Sequence, residues 1–100
     1  MHARLTEDAE ADLDAIKEYL EPRSPQGLQR ILSAIFTTIG QLETFPFLGH
    51  GGRVGDTREI AVPRTPFVVI YSTNEDDPYY IDIDRILHGR MKYPPEEAGS

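Results

Sequence analysis

Side chains able to act on a phosphate gather near the C-terminus. Arg85, His88, Arg90, Lys92 and Tyr93 fall within a short stretch that carries no acid, and Arg58 stands apart from them. Cleaving RNA requires an activated 2′-hydroxyl, a stabilised phosphate charge and a protonated 5′-oxygen. Here Arg58 and Arg85 would clamp the phosphate, and His88 or Tyr93 would serve as acid or base. Histidine titrates in the right range for that work. The competing reading makes His88 a hydrogen-bonded residue at a strand end, without a catalytic role. Arg58-Glu59 reads preferentially as a cross-strand pair to Asp82, Asp84 or Arg85.

The rest of the chain argues against a nuclease. Its 100 residues hold 10 Lys and Arg against 17 Asp and Glu, a net charge of −7. Affinity for a phosphate backbone rests largely on Lys and Arg displacing counterions. The lysines are Lys17 and Lys92, and Lys17 is flanked by acids. A protein partner is therefore expected, with no direct sequence-specific binding of nucleic acid. His2, His50 and His88 lack metal-ligand spacing, so no metal site is expected. The glycines between Gly49 and Gly55 invite a phosphate-cradle reading. A P-loop, however, needs a Lys-Ser/Thr pair opening a helix, and this loop leads to a strand. It reads as a flexible connection, and no cofactor is expected. Tyr71, Tyr79 and Tyr80 read as packing residues, because no basic residues interleave them as a base-stacking platform would need.

The elements that must position these residues are legible in order. Ala3-Arg4-Leu5 suits a short opening strand. Thr6 is a helix N-cap, with Glu7 and Asp8 favourable in the first turn. Ala9, Leu13, Ile16 and Leu20 form one apolar stripe on a helix over about residues 7–21, stopped by Pro22. Ser24-Pro25 caps a second helix running to about Thr44. Its stripe of Leu28, Ile31, Leu32, Ile35, Phe36, Ile39 and Leu42 is wide enough to touch both the first helix and a sheet. Arg58–Val62, the apolar run Phe67–Tyr71 and the alternating Tyr80–Leu87 read as three antiparallel strands. They are separated by turns at Pro63–Pro66 and Asn74–Pro78. The fold class is α+β: a helical hairpin packed on one face of a small, mainly antiparallel sheet. One domain is expected over residues 1–95, with a disordered tail at 96–100.

Strict alternation in the last strand places Ile81, Ile83, Arg85 and Leu87 on one face, with Asp82, Asp84, Ile86 and His88 on the other. If the isoleucines face the helices, Arg85 needs a carboxylate partner, and Asp82 and Asp84 repel RNA from the open face. A bulge near Asp84–Arg85 would swap the faces beyond it.

This order, with its landmarks, resembles the RelE/ParE toxin superfamily of type II toxin–antitoxin systems. The landmarks are Ala9-Glu10-Ala11-Asp12-Leu13, Ile16 and Tyr19, then Gly27 and Arg30, Leu42, Phe45-Pro46, Gly49 and Gly52-Arg53. Arg58-Glu59, Ile70-Tyr71 and Arg85-Ile86-Leu87-His88-Gly89 complete them. The Leu-His-Gly ending is similar to the ParE side of the superfamily. That resemblance implies a protein inhibitor of DNA gyrase, not an enzyme, neutralised by a ParD-like antitoxin whose helical C-terminal segment wraps it. Arg85, His88, Arg90, Lys92 and Tyr93 would then form the target-binding corner. The antitoxin surface is expected on exposed apolar positions of the helices and along the sheet edge. The RelE side instead implies ribosome-dependent mRNA cleavage, with Arg58, Arg85, His88 and Tyr93 as the catalytic candidates. A non-toxic, antitoxin-binding homologue is a further alternative. The absence of cysteine and of any run near the ~20 apolar residues of a membrane span suits the cytoplasm and gives no reason to expect a membrane partner.

Overall fold

Thr6 begins the first helix and fastens it to the sheet at the same time. It lies between β1 (His2–Leu5) and α1 (Glu7–Leu20) of the computed structural model, which describes residues 1–52, 55–74 and 76–89. Its Oγ1 accepts from the Ala9 N–H at 3.2 Å, capping an orphan donor of the first turn. The same hydroxyl faces the carbonyls of Ile83 and Asp84, at 3.1 and 3.0 Å. Ser24 caps α2 (Pro25–Thr44) in the same manner, accepting from the Gly27 N–H at 3.1 Å. The expected helix ends agree with these to within a residue.

After α2 come β2 (His50–Gly51), β3 (Thr57–Ala61), β4 (Phe67–Asn74) and β5 (Asp77–His88). The sheet order is β1-β5-β4-β3-β2, with β1 parallel to β5 and every other pair antiparallel. The run at residues 67–71 is central, as its continuous apolar character requires: Val69, Ile70 and Tyr71 are all buried. One face of the sheet meets the helices. Val62, Val69, Tyr71, Ile81, Ile83 and Ile86 pack there against Ala9, Leu13, Ile16, Ile31, Ile35, Ile39 and Leu42. Full burial of a side chain such as Ile35 or Leu42 contributes roughly 1.5–3 kcal/mol. The wide stripe of α2 reaches α1, β1 and β4. Phe36 was expected within it but is exposed, on the side turned away from this core.

Several expectations need correction. The β4–β5 hairpin is tighter than a turn spanning residues 74–78, since Asn74 already pairs with Asp77. Tyr71 packs fully, but Tyr79 and Tyr80 are exposed, because the hairpin runs on past the first core row at Ile81. The strand neighbours of Arg58 and Glu59 are Tyr71 and Ile70 of β4, which lies between β3 and β5. Part of the glycine-rich loop is strand and not a flexible connection. Its first half adds β2 to the sheet edge, pairing His50 with Glu59 and Gly51 with Arg58.

Gly49 shows why that join needs glycine. Its N–H donates to the Tyr71 hydroxyl at 2.8 Å, inside the protein. A Cβ there would meet the Glu59 carbonyl oxygen and the Tyr71 hydroxyl, each at 2.7 Å. One of those contacts is backbone and cannot swing away. Gly49→Ala is therefore expected to lower the unfolding free energy by about 1–3 kcal/mol. A fall in the urea midpoint at constant slope would register it.

Candidate functional site

The candidate site is built where β1 ends and β5 continues. Among the described residues, β5 has no strand on its outer side beyond Ile83, because the chain has turned at Thr6 into α1. Its backbone donors there need another acceptor. Asp12 of α1 supplies it: Oδ2 accepts from the Ile86 N–H at 2.9 Å. The same carboxylate takes both arms of the Arg85 guanidinium, from Nε at 2.8 Å and Nη2 at 2.9 Å. The carboxylate is mostly buried, as is its arginine, so this ion pair is shielded from solvent screening. Asp12 lies three residues after Ala9 and four before Ile16, on the flank of the apolar stripe. That spacing is the one sequence signal that would have marked it as an inward acid. Asp12 is not part of the stripe Ala9, Leu13, Ile16 and Leu20, and its pairing with Arg85 was not expected from the sequence.

A bulge lies just before Arg85. Tyr71 pairs with Ile83 and Ile70 with Arg85, leaving Asp84 as an extra residue in β5. Strict alternation is thereby broken. Ile86 joins the helix-side core, while Leu87 is buried outside that cluster. Of the two readings of this strand the bulged one holds, and Leu87 does not share the face of Ile81 and Ile83. The expected carboxylate partner for Arg85 exists, but it comes from the helix. The basic corner is therefore not free of acid.

His88 pairs with Phe67 across the strands, their rings edge-on at 6.0 Å between centroids. Both border a cleft of about 520 Å³ that also involves Asp12, Ile16, Tyr19 and Leu20. Tyr19 is exposed at the rim, its ring covered by the Arg23 guanidinium at 4.1 Å. The lining is mostly apolar, suited to a side chain or a helix face.

Arg58 belongs elsewhere. Its Nη1 donates to the Gly49 carbonyl at 2.9 Å and its guanidinium covers the Phe47 ring at 4.9 Å. It shares a row with Tyr71 and Ile83, whereas His88 lies opposite Phe67. Four residues along a strand is about 13 Å, and the two residues also stand two strands apart. They are too distant to hold one phosphate. Arg90, Lys92 and Tyr93 lie outside the described residues. His2 and His50 lie on β1 and β2, at opposite edges of the sheet. Among the described residues no cluster of metal-ligating side chains occurs.

Residues 3–93 match the family described as the ParE toxin of the type II toxin–antitoxin system parDE. The chain belongs to the ParE toxin family. A toxin candidate of Sinorhizobium fredii, Y4kP, is 29% identical over 82 residues, covering 82% of this chain and 81% of its own. A solved structure of the chromosomal ParDE system from P. aeruginosa superposes with a TM-score of 0.64 at 25% identity. It covers 88% of this chain and 95% of its own. The family match spans both Asp12 and Arg85.

On the other face of this ParE-family toxin, Arg4 bridges Asp82 and Asp77 and lies over the Tyr80 ring at 4.7 Å. The charge of Asp82, expected to stand open to solvent, is thus partly cancelled by β1. Asp84 differs. Partial burial raises its pKa above the ordinary carboxylate value, a hydrogen bond with Ser72 opposes the rise, and nearby Asp82 adds to it.

Two predictions follow from these carboxylates. Asp12→Ala would remove the carboxylate that holds the Arg85 guanidinium and the Ile86 N–H together, at a cost of about 2–4 kcal/mol. A double-mutant cycle with Arg85→Met should return a coupling of at least about 1 kcal/mol, measured by chemical denaturation. Asp84 is tested through its sign. A raised folded pKa means the folded state binds the proton more tightly, so the group favours folding at low pH. That contribution is lost as pH rises through the folded pKa. Asp84→Asn should therefore be more stable than the parent at neutral pH, with the difference shrinking as the medium is acidified through the carboxylate range.

Proposed function

We propose that this ParE-family toxin inhibits DNA gyrase by protein–protein contact in the cytoplasm and is held inactive by a ParD-like antitoxin. The observation that carries the reading is how the fold uses its arginines. Arg85 is bound to Asp12, and Arg58 ties Gly49 and Phe47. A nuclease would need those guanidiniums aimed at a phosphate, beside an acid or base. Their engagement, the distance of Arg58 from His88 and the net charge of −7 all favour a protein target over RNA. The target surface is assigned to Arg85, His88, Arg90, Lys92 and Tyr93.

Similarity to a structure of a ParDE system supports a ParD-like partner. The apolar cleft beside Tyr19 and Phe67 has the size and character to receive an amphipathic helix from such an antitoxin. No helix among the described residues is long and apolar enough to cross a membrane.

One preparation of the chain distinguishes the readings. Inhibition of gyrase supercoiling with unimpaired cell-free translation is the expected result, reversed by adding a ParD-like antitoxin. Ribosome-dependent mRNA cleavage without an effect on gyrase would overturn it and favour the RelE-like alternative. No effect in either assay, with normal growth on expression alone, would point to a non-toxic antitoxin-binding homologue.

A further inference from the structure

A second recess lies between α2 and the β3–β4 turn, with a volume of about 340 Å³. Arg30, Ser33, Thr37 and Gln41 line it from the helix, and Arg64 and Thr65 from the turn. No Asp or Glu lines it, although the chain as a whole carries a net charge of −7. Arg30 Nη1 donates to the Arg64 carbonyl at 3.3 Å, which brings the helix arginine against the turn. Arg4 and Arg85 each hold a carboxylate. Among the described residues, Arg30 and Arg64 are in no ion pair. Both side chains are exposed to solvent at the mouth of the recess.

The turn itself carries a second signal. The Thr65 N–H bonds to the Val62 carbonyl at 3.3 Å, Pro63 occupies the second position, and Arg64 has φ +63°. This is the pattern of a type II turn, whose third position favours glycine. An arginine held there is conformationally strained. Strain retained at a position that lines a recess directs attention to what its side chain does.

We propose that this recess binds the phosphate group of a small molecule. Arg30 and Arg64 supply the charge, since a guanidinium fork matches phosphate oxygens. Ser33, Thr37 and Gln41 supply further donors. Thr38 and Thr65 are already committed, donating to Ala34 and Val62 carbonyls. Donors approaching from two elements suit a tetrahedral group. The lining contains no aromatic ring on which a base would stack, so recognition is of the phosphate and not of a nucleobase. The volume is at the small end for ligand sites. This site does not depend on the gyrase reading.

The test is a titration of the whole, folded chain with sodium phosphate, followed by amide chemical shifts at constant ionic strength set with chloride. Sulfate and acetate are run in parallel. Saturable shifts at Arg30, Ser33, Thr37 and Thr65, with a midpoint of about 1 mM or below, are expected. Arg64→Gly suits the turn and leaves its carbonyl to Arg30, so the variant isolates the lost charge. It should weaken phosphate binding at least tenfold, as should Arg30→Gln. Shifts that do not saturate, that chloride reproduces, or that survive in both variants would overturn the proposal. Tighter binding of a short single-stranded DNA, lost in the same variants, would overturn the small-molecule assignment.

Discussion

Three donors converge on the two oxygens of Asp12: the Arg85 Nε and Nη2 groups and the Ile86 N–H. The constraint they answer is a strand that outlasts its neighbour. β5 is much longer than β1, so its residues 84–88 run on with no strand beside that edge among the described residues. An unsatisfied N–H at a part-buried edge is costly, and an unpaired guanidinium there would be costlier. One carboxylate removes both liabilities. In doing so it fixes the position of α1 relative to the end of β5, and hence the cleft between them.

The bulge at Asp84 belongs to the same arrangement. By inserting one residue it shifts the pleat, so that Ile86 enters the helix-side core and His88 comes to border the cleft. It also leaves Asp84 part-buried near Asp82, where its charge is disfavoured. Thr6 accompanies the bulge from the other side, its hydroxyl placed against the carbonyls of Ile83 and Asp84. Helix start, strand end and bulge are thus one connected unit.

Electrostatic organisation follows from how few cations an acidic chain can deploy. Arg4 neutralises carboxylates on the open sheet face, Arg85 is held by Asp12, and Arg58 secures the Gly49 turn. These guanidiniums act within the fold, and the net charge of −7 disfavours a nucleic-acid backbone as the partner.

Local patterning determined much of the protein. Caps at Thr6 and Ser24, a proline at the start of α2, apolar stripes at helical spacing and the unbroken run at Phe67–Tyr71 all encode their elements within a few residues. The interaction energies involved are short-ranged, so the sequence alone reveals them. Tertiary structure decided the rest. Asp12 and Arg85 are 73 residues apart and meet only when α1 crosses the end of β5. The bulge that turns Ile86 inward is a property of pairing with β4, not of β5 itself. The separation of Arg58 from His88 follows from strand order. Gly49 reads as a flexible-loop residue until the Tyr71 hydroxyl and Glu59 carbonyl are seen filling the space a side chain would need. Each of these depends on residues distant in the chain, and spacing along one segment holds no record of them.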